Sequence, residues 1–192
     1  MAEETEWKVL VDSEEFCRCR AALRAQTAAE GDAYVQVNYY FDTPAFALAK
    51  SHAMLRVRRK KNALYLQFKT KRTQEGAIFS CQEWEAKLEN FPKTVNPHTY
   101  FPQAPDLECA LLGDLVTFRT DFDLLGTVVS LDENVYFGTT DYEVEIEGEE
   151  SAIRAAAQIL QPTGKSEKGN GKFSRFLRQY RTYYTENKGE NQ

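Results

Sequence analysis

The sequence predicts an α+β protein built around an eight-stranded antiparallel β-barrel, a tunnel with helices packed on the outside. Three observations predict it. Segments with a period of two recur along the 192 residues and are mostly joined by short turns. In several of them one parity is apolar and the other charged, and taken together those charges are of both signs. The helical segments have apolar stripes of their own, so they can cover the apolar face of a sheet and leave the charged parity facing a lumen.

The first such segment is Glu4-Thr5-Glu6-Trp7-Lys8, with Glu4, Glu6 and Lys8 on one face and Thr5, Trp7 and Val9 on the other. Asp12, with Glu15 three residues on, reads as a capping box that starts a helix running to about Ala29, before Gly31. Tyr34 to Asp42 is a strand rich in β-branched and aromatic residues, broken by Thr43-Pro44, and Ala45 to Lys50 makes a short helical turn. Ala53 to Lys60 sets Arg56, Arg58 and Lys60 against Leu55 and Val57. A Lys61-Asn62 hairpin leads to Ala63 to Lys71, which sets Gln67, Lys69 and Lys71 against Leu66 and Phe68. After a turn at Glu75-Gly76, Ile78 to Lys87 sets Cys81, Glu83 and Glu85 against Ile78, Gln82 and Trp84.

Prolines at 92, 97, 102 and 105 mark a connector with at most one short helix, near Leu107 to Leu112. Strands resume at Leu115, where Thr117, Arg119, Asp121 and Asp123 share a face. Thr127 to Asp132 follows the turn at Gly126, and Asp141 to Glu147, with Glu143, Glu145 and Glu147 on one face, follows the turn at Gly138. Glu149 to Gln161 and Phe173 to about Tyr184 are helices with Ile153, Ala156 and Leu160, and Phe173, Phe176, Leu177 and Tyr180, at helical spacing. Residues 1–185 read as one domain and 186–192 as a disordered tail.

Composition narrows the function classes. The net charge of −5 argues against a general nucleic-acid surface, while the dense run Arg56, Arg58, Arg59, Lys60, Lys61 argues for a confined anion site. No apolar run reaches the roughly 20 residues that span a bilayer, and the acidic N-terminus lacks an apolar signal region. Cys17, Cys19, Cys81 and Cys109 form no CxxC pair, which excludes the usual zinc spacing and suits reduced thiols in the cytoplasm.

The charged parity gathers Lys8, Arg56, Arg58, Lys69 and Arg119 with Glu4, Glu6, Glu83, Glu85, Asp132, Glu143 and Glu145. Packed carboxylates repel and take up protons unless cations neutralise them. Basic groups suit phosphate oxygens, and carboxylates suit hard cations, Mg2+ or Mn2+. The expected occupant is a polyanion with divalent metal, and a metal-free lumen is expected to raise some carboxylate pKa values.

These blocks resemble a known family. Glu4-x-Glu6-x-Lys8 resembles the ExExK signature of the CYTH domain, the triphosphate tunnel metalloenzymes. Asn38-Tyr-Tyr-Phe-Asp42-Thr43, Leu55-Arg56-Val57-Arg58, Leu66-Gln67-Phe68-Lys69, Glu83-Trp84-Glu85, Arg119, Asp132, Glu143-Val144-Glu145 and Gly171-Lys172-Phe-Ser-Arg175-Phe resemble its later blocks, in order, in the bacterial YjbK-like branch. Tyr39 departs, standing where that branch has a histidine.

The resemblance implies metal-dependent hydrolysis of a linear triphosphate, with inorganic tripolyphosphate ahead of a nucleoside or thiamine triphosphate. The alternatives are a class IV-type adenylyl cyclase and a non-catalytic polyphosphate-binding module. It implies metal ligands among Glu4, Glu6, Glu83, Glu85, Asp132, Glu143 and Glu145. It implies phosphate contacts from Lys8, Arg56, Arg58, Lys69, Arg119 and Lys172, with Lys8, Arg58 and Glu145 catalytic. The implied partner is a small-molecule triphosphate, with no nucleic acid and no membrane; homodimer formation is left open.

Overall fold

The structure, a computed structural model, describes residues 2–75, 78–165 and 171–186; for 2–4, 71–75, 78–80 and 185–186 the backbone alone is described. The expected turn at Gly76, the side chains of Glu4 and Lys71, and residues 187–192 of the expected 186–192 tail lie outside the described residues; Glu186 is the last residue of a helix.

The chain runs β1 (Ala2–Val11), α1 (Ser13–Thr27), β2 (Asp32–Asp42), α2 (Ala47–Lys50), β3 (Ala53–Lys60), β4 (Ala63–Glu75), β5 (Ile78–Leu88), β6 (Thr94–Val95), β7 (Cys109–Leu124), β8 (Thr127–Tyr136), β9 (Thr139–Glu147), α3 (Glu150–Leu160) and α4 (Lys172–Glu186). The sheet order is β2-β3-β4-β5-β1-β9-β8-β7, and β7 pairs back onto β2, so eight antiparallel strands close into a barrel. The two-residue β6 flanks the start of β7. Gly126 and Gly138 turn the chain between β7, β8 and β9 with φ of +77° and +72°, a conformation that suits glycine.

One expectation fails here. The stretch Leu107 to Leu112, read as a short helix, is strand from Cys109, since β7 begins there and pairs with β2 and β6. An apolar run without alternation does not distinguish helix from strand; pairing partners decided it.

Alternation sorts side chains as expected on the other strands. Two apolar cores lie outside the barrel. In the first, Phe16, Cys19 and Leu23 of α1 and Ile153, Ala156 and Leu160 of α3 pack on Val9, Phe122, Leu124, Val129, Leu131, Val144 and Ile146, with Trp7 partly buried beside them. In the second, Leu48 of α2 and the 95–109 connector cover Phe41, Leu55, Val57, Leu66 and Phe68. Helix α4 does something else. Its Phe176 and Leu177 pack on Tyr40, Leu115 and Tyr136, which share the inward parity of their strands. Helix α4 therefore lies across one end of the lumen, with the Phe176 and Tyr40 rings 4.7 Å apart.

Asp12 caps α1 by accepting from the Glu15 amide at 2.8 Å. The reciprocal half of the expected capping box is missing, because the Glu15 carboxylate accepts instead from Arg18 (2.7 Å twice) and from the Thr163 amide (2.6 Å). Arg18 also donates to Leu160 O at 2.8 Å. The pair ties α1 to the end of α3. The Arg18 hydrogen bond, aided by Thr163 and opposed by burial, holds the Glu15 carboxyl at about 2 instead of 4.5. A depressed folded-state pKa stabilises the fold above the unfolded value, and that stabilisation is lost as pH falls through the folded value. The melting temperature of metal-free protein should fall between pH 5 and pH 2, and Glu15→Gln should flatten part of that fall. Parallel melting curves for parent and variant by circular dichroism would contradict the assignment.

Candidate active site

Register carries the charged parity into one cluster. Lys8 of β1 lies opposite Glu145 of β9. Glu143 of β9 lies opposite Asp132 of β8, which lies opposite Arg119 of β7. Same-face neighbours on adjacent strands are about 4.5–5.5 Å apart at Cβ, within reach of these side chains. The described lumen holds a cavity of about 200 Å3 whose lining includes Glu6, Lys8, Arg56, Arg58, Lys69, Arg119, Glu145 and Lys172.

The cavity has two unlike walls. On the β3–β4 side, Arg56 is buried and donates to Gln67 at 2.7 Å, and Gln67 passes the contact on to Glu85 at 2.6 Å. Arg58 donates through Nε to Asn38 at 3.0 Å, and Lys69 pairs with Glu83 at 2.6 Å. Burial and the neighbouring charges of Arg56 and Arg119 press the Arg58 guanidinium down to about 10. It still carries its charge at neutral pH, so this wall holds positive charge under strain and an anion would relieve it. The buried side-chain nitrogens Gln36 Nε2 and Asn38 Nδ2 have no hydrogen-bond partner.

On the β8–β9 side, one carboxylate oxygen each from Asp132, Glu143 and Glu145 lie within 4.8 Å of one another. Arg119 donates to Asp132 at 2.6 Å through both Nε and an NH2 group, and its short bond to Glu145 completes a bridge. Arg175 of α4 donates to Asp141 at 2.8 Å and to Glu143 at 3.1 Å. Lys172 Nζ stands between all three cluster carboxylates, at 2.8 Å from Asp132 and 2.6 Å from Glu143 and Glu145. Lys8 pairs with Glu6 and lies 3.8 Å from Glu145.

The expected carboxylate repulsion is corrected here. Burial would raise Glu145, but Lys172, Arg119 and Lys8 hold it well below the usual range. Burial would lower Lys172 and Lys8, yet the surrounding carboxylates raise both. The tunnel's own cations neutralise the acids that the sequence leaves facing one another.

Asp132, Glu143, Glu145, Lys8, Arg119 and Lys172 therefore come together, with Glu6 beside them. Arg56, Arg58 and Lys69 form the facing wall. Glu83 and Glu85 sit on that basic wall, paired with Lys69 and Gln67, apart from the carboxylate cluster. The Glu4 side chain lies outside the described residues. Two participants were missed as site residues. Asp141 shares the parity of Glu143 and Glu145, and Arg175 follows Lys172 by three residues, one helical turn along.

A second cavity of about 510 Å3 adjoins the first and shares Met54, Lys69, Cys81, Phe173 and Ser174 with it; Ala49, Ala53 and Leu177 complete its apolar side, and His52 and Thr70 also line it.

The sequence profile of the CYTH domain matches residues 2–184. The chain is 30% identical over 149 residues to Bacillus subtilis (strain 168) YjbK, a triphosphatase by name, covering 75% of this chain and 76% of that one. Among solved structures, HpAC1 from Hippeastrum, an adenylyl cyclase by name with a dominant triphosphatase activity, superposes with a TM-score of 0.71 at 23% identity, over 91% of this chain and 95% of its own. A Bacillus halodurans structure described as an adenylate cyclase gives 0.70 at 24% identity, over 92% and 100%. These structural likenesses carry the fold.

Proposed function

The chain belongs to the CYTH domain family, and from that premise we propose that it hydrolyses a linear triphosphate in the barrel lumen with the help of a divalent metal. The observation that carries the reading is the pairing of a basic wall with a facing carboxylate cage across one small cavity. A triphosphate would suit such walls: Arg56, Arg58 and Lys69 would hold its oxygens, and Asp132, Glu143 and Glu145 would hold its metal.

The donor set fits a hard cation, being three convergent carboxylates without sulfur or imidazole. We assign it Mg2+ or Mn2+; when bound, that ion would neutralise phosphate oxygens and acidify a water. Glu6, half-buried beside Lys8, is the further acidic group of the same lumen. Guanidiniums already fixed by Gln67 and Asn38 meet the charge that develops on the transferring and leaving phosphates without reorganising. Arg119 and Lys8 join the two walls, since each touches the carboxylates while lining the cavity. Glu83 and Glu85 orient basic side chains in this scheme. Four free cysteines suit a reducing, cytoplasmic compartment. No described helix is long and apolar enough to cross a membrane.

A second reading has its own support. The adjoining cavity would accept the organic part of a nucleotide, which an adenylyl cyclase requires. One assay separates the two: phosphate release and cyclic AMP are measured with tripolyphosphate, ATP and thiamine triphosphate, with and without chelator. Metal-dependent phosphate release without cyclic AMP is expected. Cyclic AMP from ATP would move the assignment to the cyclase, and turnover surviving complete chelation would remove the metal from the mechanism.

A further inference from the structure

The ammonium of Lys172 is held where the proposed metal ligands converge. It contacts one oxygen from each of Asp132, Glu143 and Glu145, the three residues whose carboxylate oxygens approach within 4.8 Å of one another. An ammonium at hydrogen-bond distance from all three occupies the space that an ion with oxygen ligands at about 2.1 Å would need. Lys172 and a divalent cation therefore cannot share the cage. Lys172 also lines the lumen cavity, on a flexible four-carbon stem at the first position of α4. Rotation of that stem can move the charge without moving the helix.

Charge balance says when the exchange happens. The carboxylates already have Lys172, Arg119 and Arg175 as partners. A divalent ion entering alone would add positive charge to a compensated site and release an ammonium into a cavity lined by Arg56 and Arg58. A triphosphate arriving with the metal removes that difficulty, because the released ammonium gains phosphate oxygens.

We propose that Lys172 is the resident cation of the carboxylate cage, and that its exchange for the divalent metal couples metal loading to triphosphate capture. The inference rests on the assignment of Asp132, Glu143 and Glu145 as metal ligands, and it does not depend on which reaction follows. Coupling of this kind is reciprocal: triphosphate tightens metal to the same degree that metal tightens triphosphate.

The test measures binding. Mn2+ is titrated into the metal-free full chain and free Mn2+ is read by electron paramagnetic resonance, without anion and with an imido-bridged triphosphate that resists hydrolysis, the Mn2+ held by the anion itself being subtracted from a protein-free titration. The parent should bind Mn2+ at least tenfold more tightly when the anion is present. Lys172→Met should bind Mn2+ alone at least tenfold more tightly than the parent does, and should gain less from the anion. Lys172→Gln, which keeps a polar chain, serves under the same criterion if circular dichroism shows the Met variant unfolded. Mn2+ binding to the variants no tighter than to the parent overturns the proposal. If neither parent nor variant binds Mn2+, the ligand assignment falls as well. A parent that shows the exchange but releases no phosphate would overturn the proposed reaction and leave the exchange standing.

Discussion

Arg58→Ala should lose about 100- to 1,000-fold in kcat/KM for tripolyphosphate, the loss expected when one preorganised donor of about 2.7–4 kcal/mol is removed from a charge-developing site. Arg59→Ala should keep parental turnover. The two residues are adjacent arginines on opposite faces of β3. Arg58 lines the lumen and is held by Asn38, whereas Arg59 is exposed and borders an outer pocket with Tyr39, Asn62, Leu64 and Phe91. Burial and two neighbouring guanidiniums already oppose the charge of Arg58. Arg58→Ala should therefore melt no lower than the parent in the absence of ligand. A dead Arg59→Ala beside an active Arg58→Ala would mean that β3 faces the other way, and every assignment made from the same alternation would fall with it.

Glu145→Gln should have a comparable kinetic effect and a structural one besides. Glu145 is where Lys172, Arg119 and Lys8 meet on one carboxylate. Neutralising it removes a proposed metal ligand and leaves three cations short of a partner. Removing one member of a buried pair costs on the order of 3–5 kcal/mol. The variant should thus show turnover reduced by about 100-fold or more, together with a lower melting temperature that Mn2+ restores poorly. Glu133→Gln is the control, since Glu133 sits in β8 opposite Phe118 and Tyr142, on the face away from the lumen. Near-parental turnover for Glu145→Gln, measured well below its melting transition, together with a parental melting temperature, would remove Glu145 from the site.

The strands that carry the site were legible because the outer face imposes a rule. Leu55 and Val57 must be covered, so Arg56 and Arg58 must point the other way. The same holds for Val144 and Ile146 against Glu143 and Glu145. Alternation names the face of a residue but says nothing of its register. That is why Asp132 could be placed in the lumen while its bond to Arg119 could not be foreseen. It also explains the mistaken expectation of repelling carboxylates, because compensation by Lys172, Arg119 and Arg175 depends on which residues lie opposite. The first half of β7 had no alternation to read and took its form from β2 and β6. The apolar stripe of α4 was visible, but its seat was not. Tyr40, Leu115 and Tyr136 are apolar residues on the charged parity, and that break in pattern was the available sign that something covers the barrel end.

Closure of the barrel by the β2–β7 ladder also bears on how the protein avoids other copies of itself. An open sheet ends in rows of unpaired amides and carbonyls on which a second chain can add a strand. Here each of the eight long strands has a neighbour on both sides, and β6 offers a ledge of two residues, shorter than a stable strand addition needs. The β2–β7 seam runs from Asp32 opposite Asp121 to Asp42 opposite Ala110. If it parted, two long edges would appear at once, beside the exposed cross-strand pair Val35 and Phe118. Resistance to edge-to-edge aggregation is thus shared by all eight ladders of the ring, since parting any one of them bares two edges.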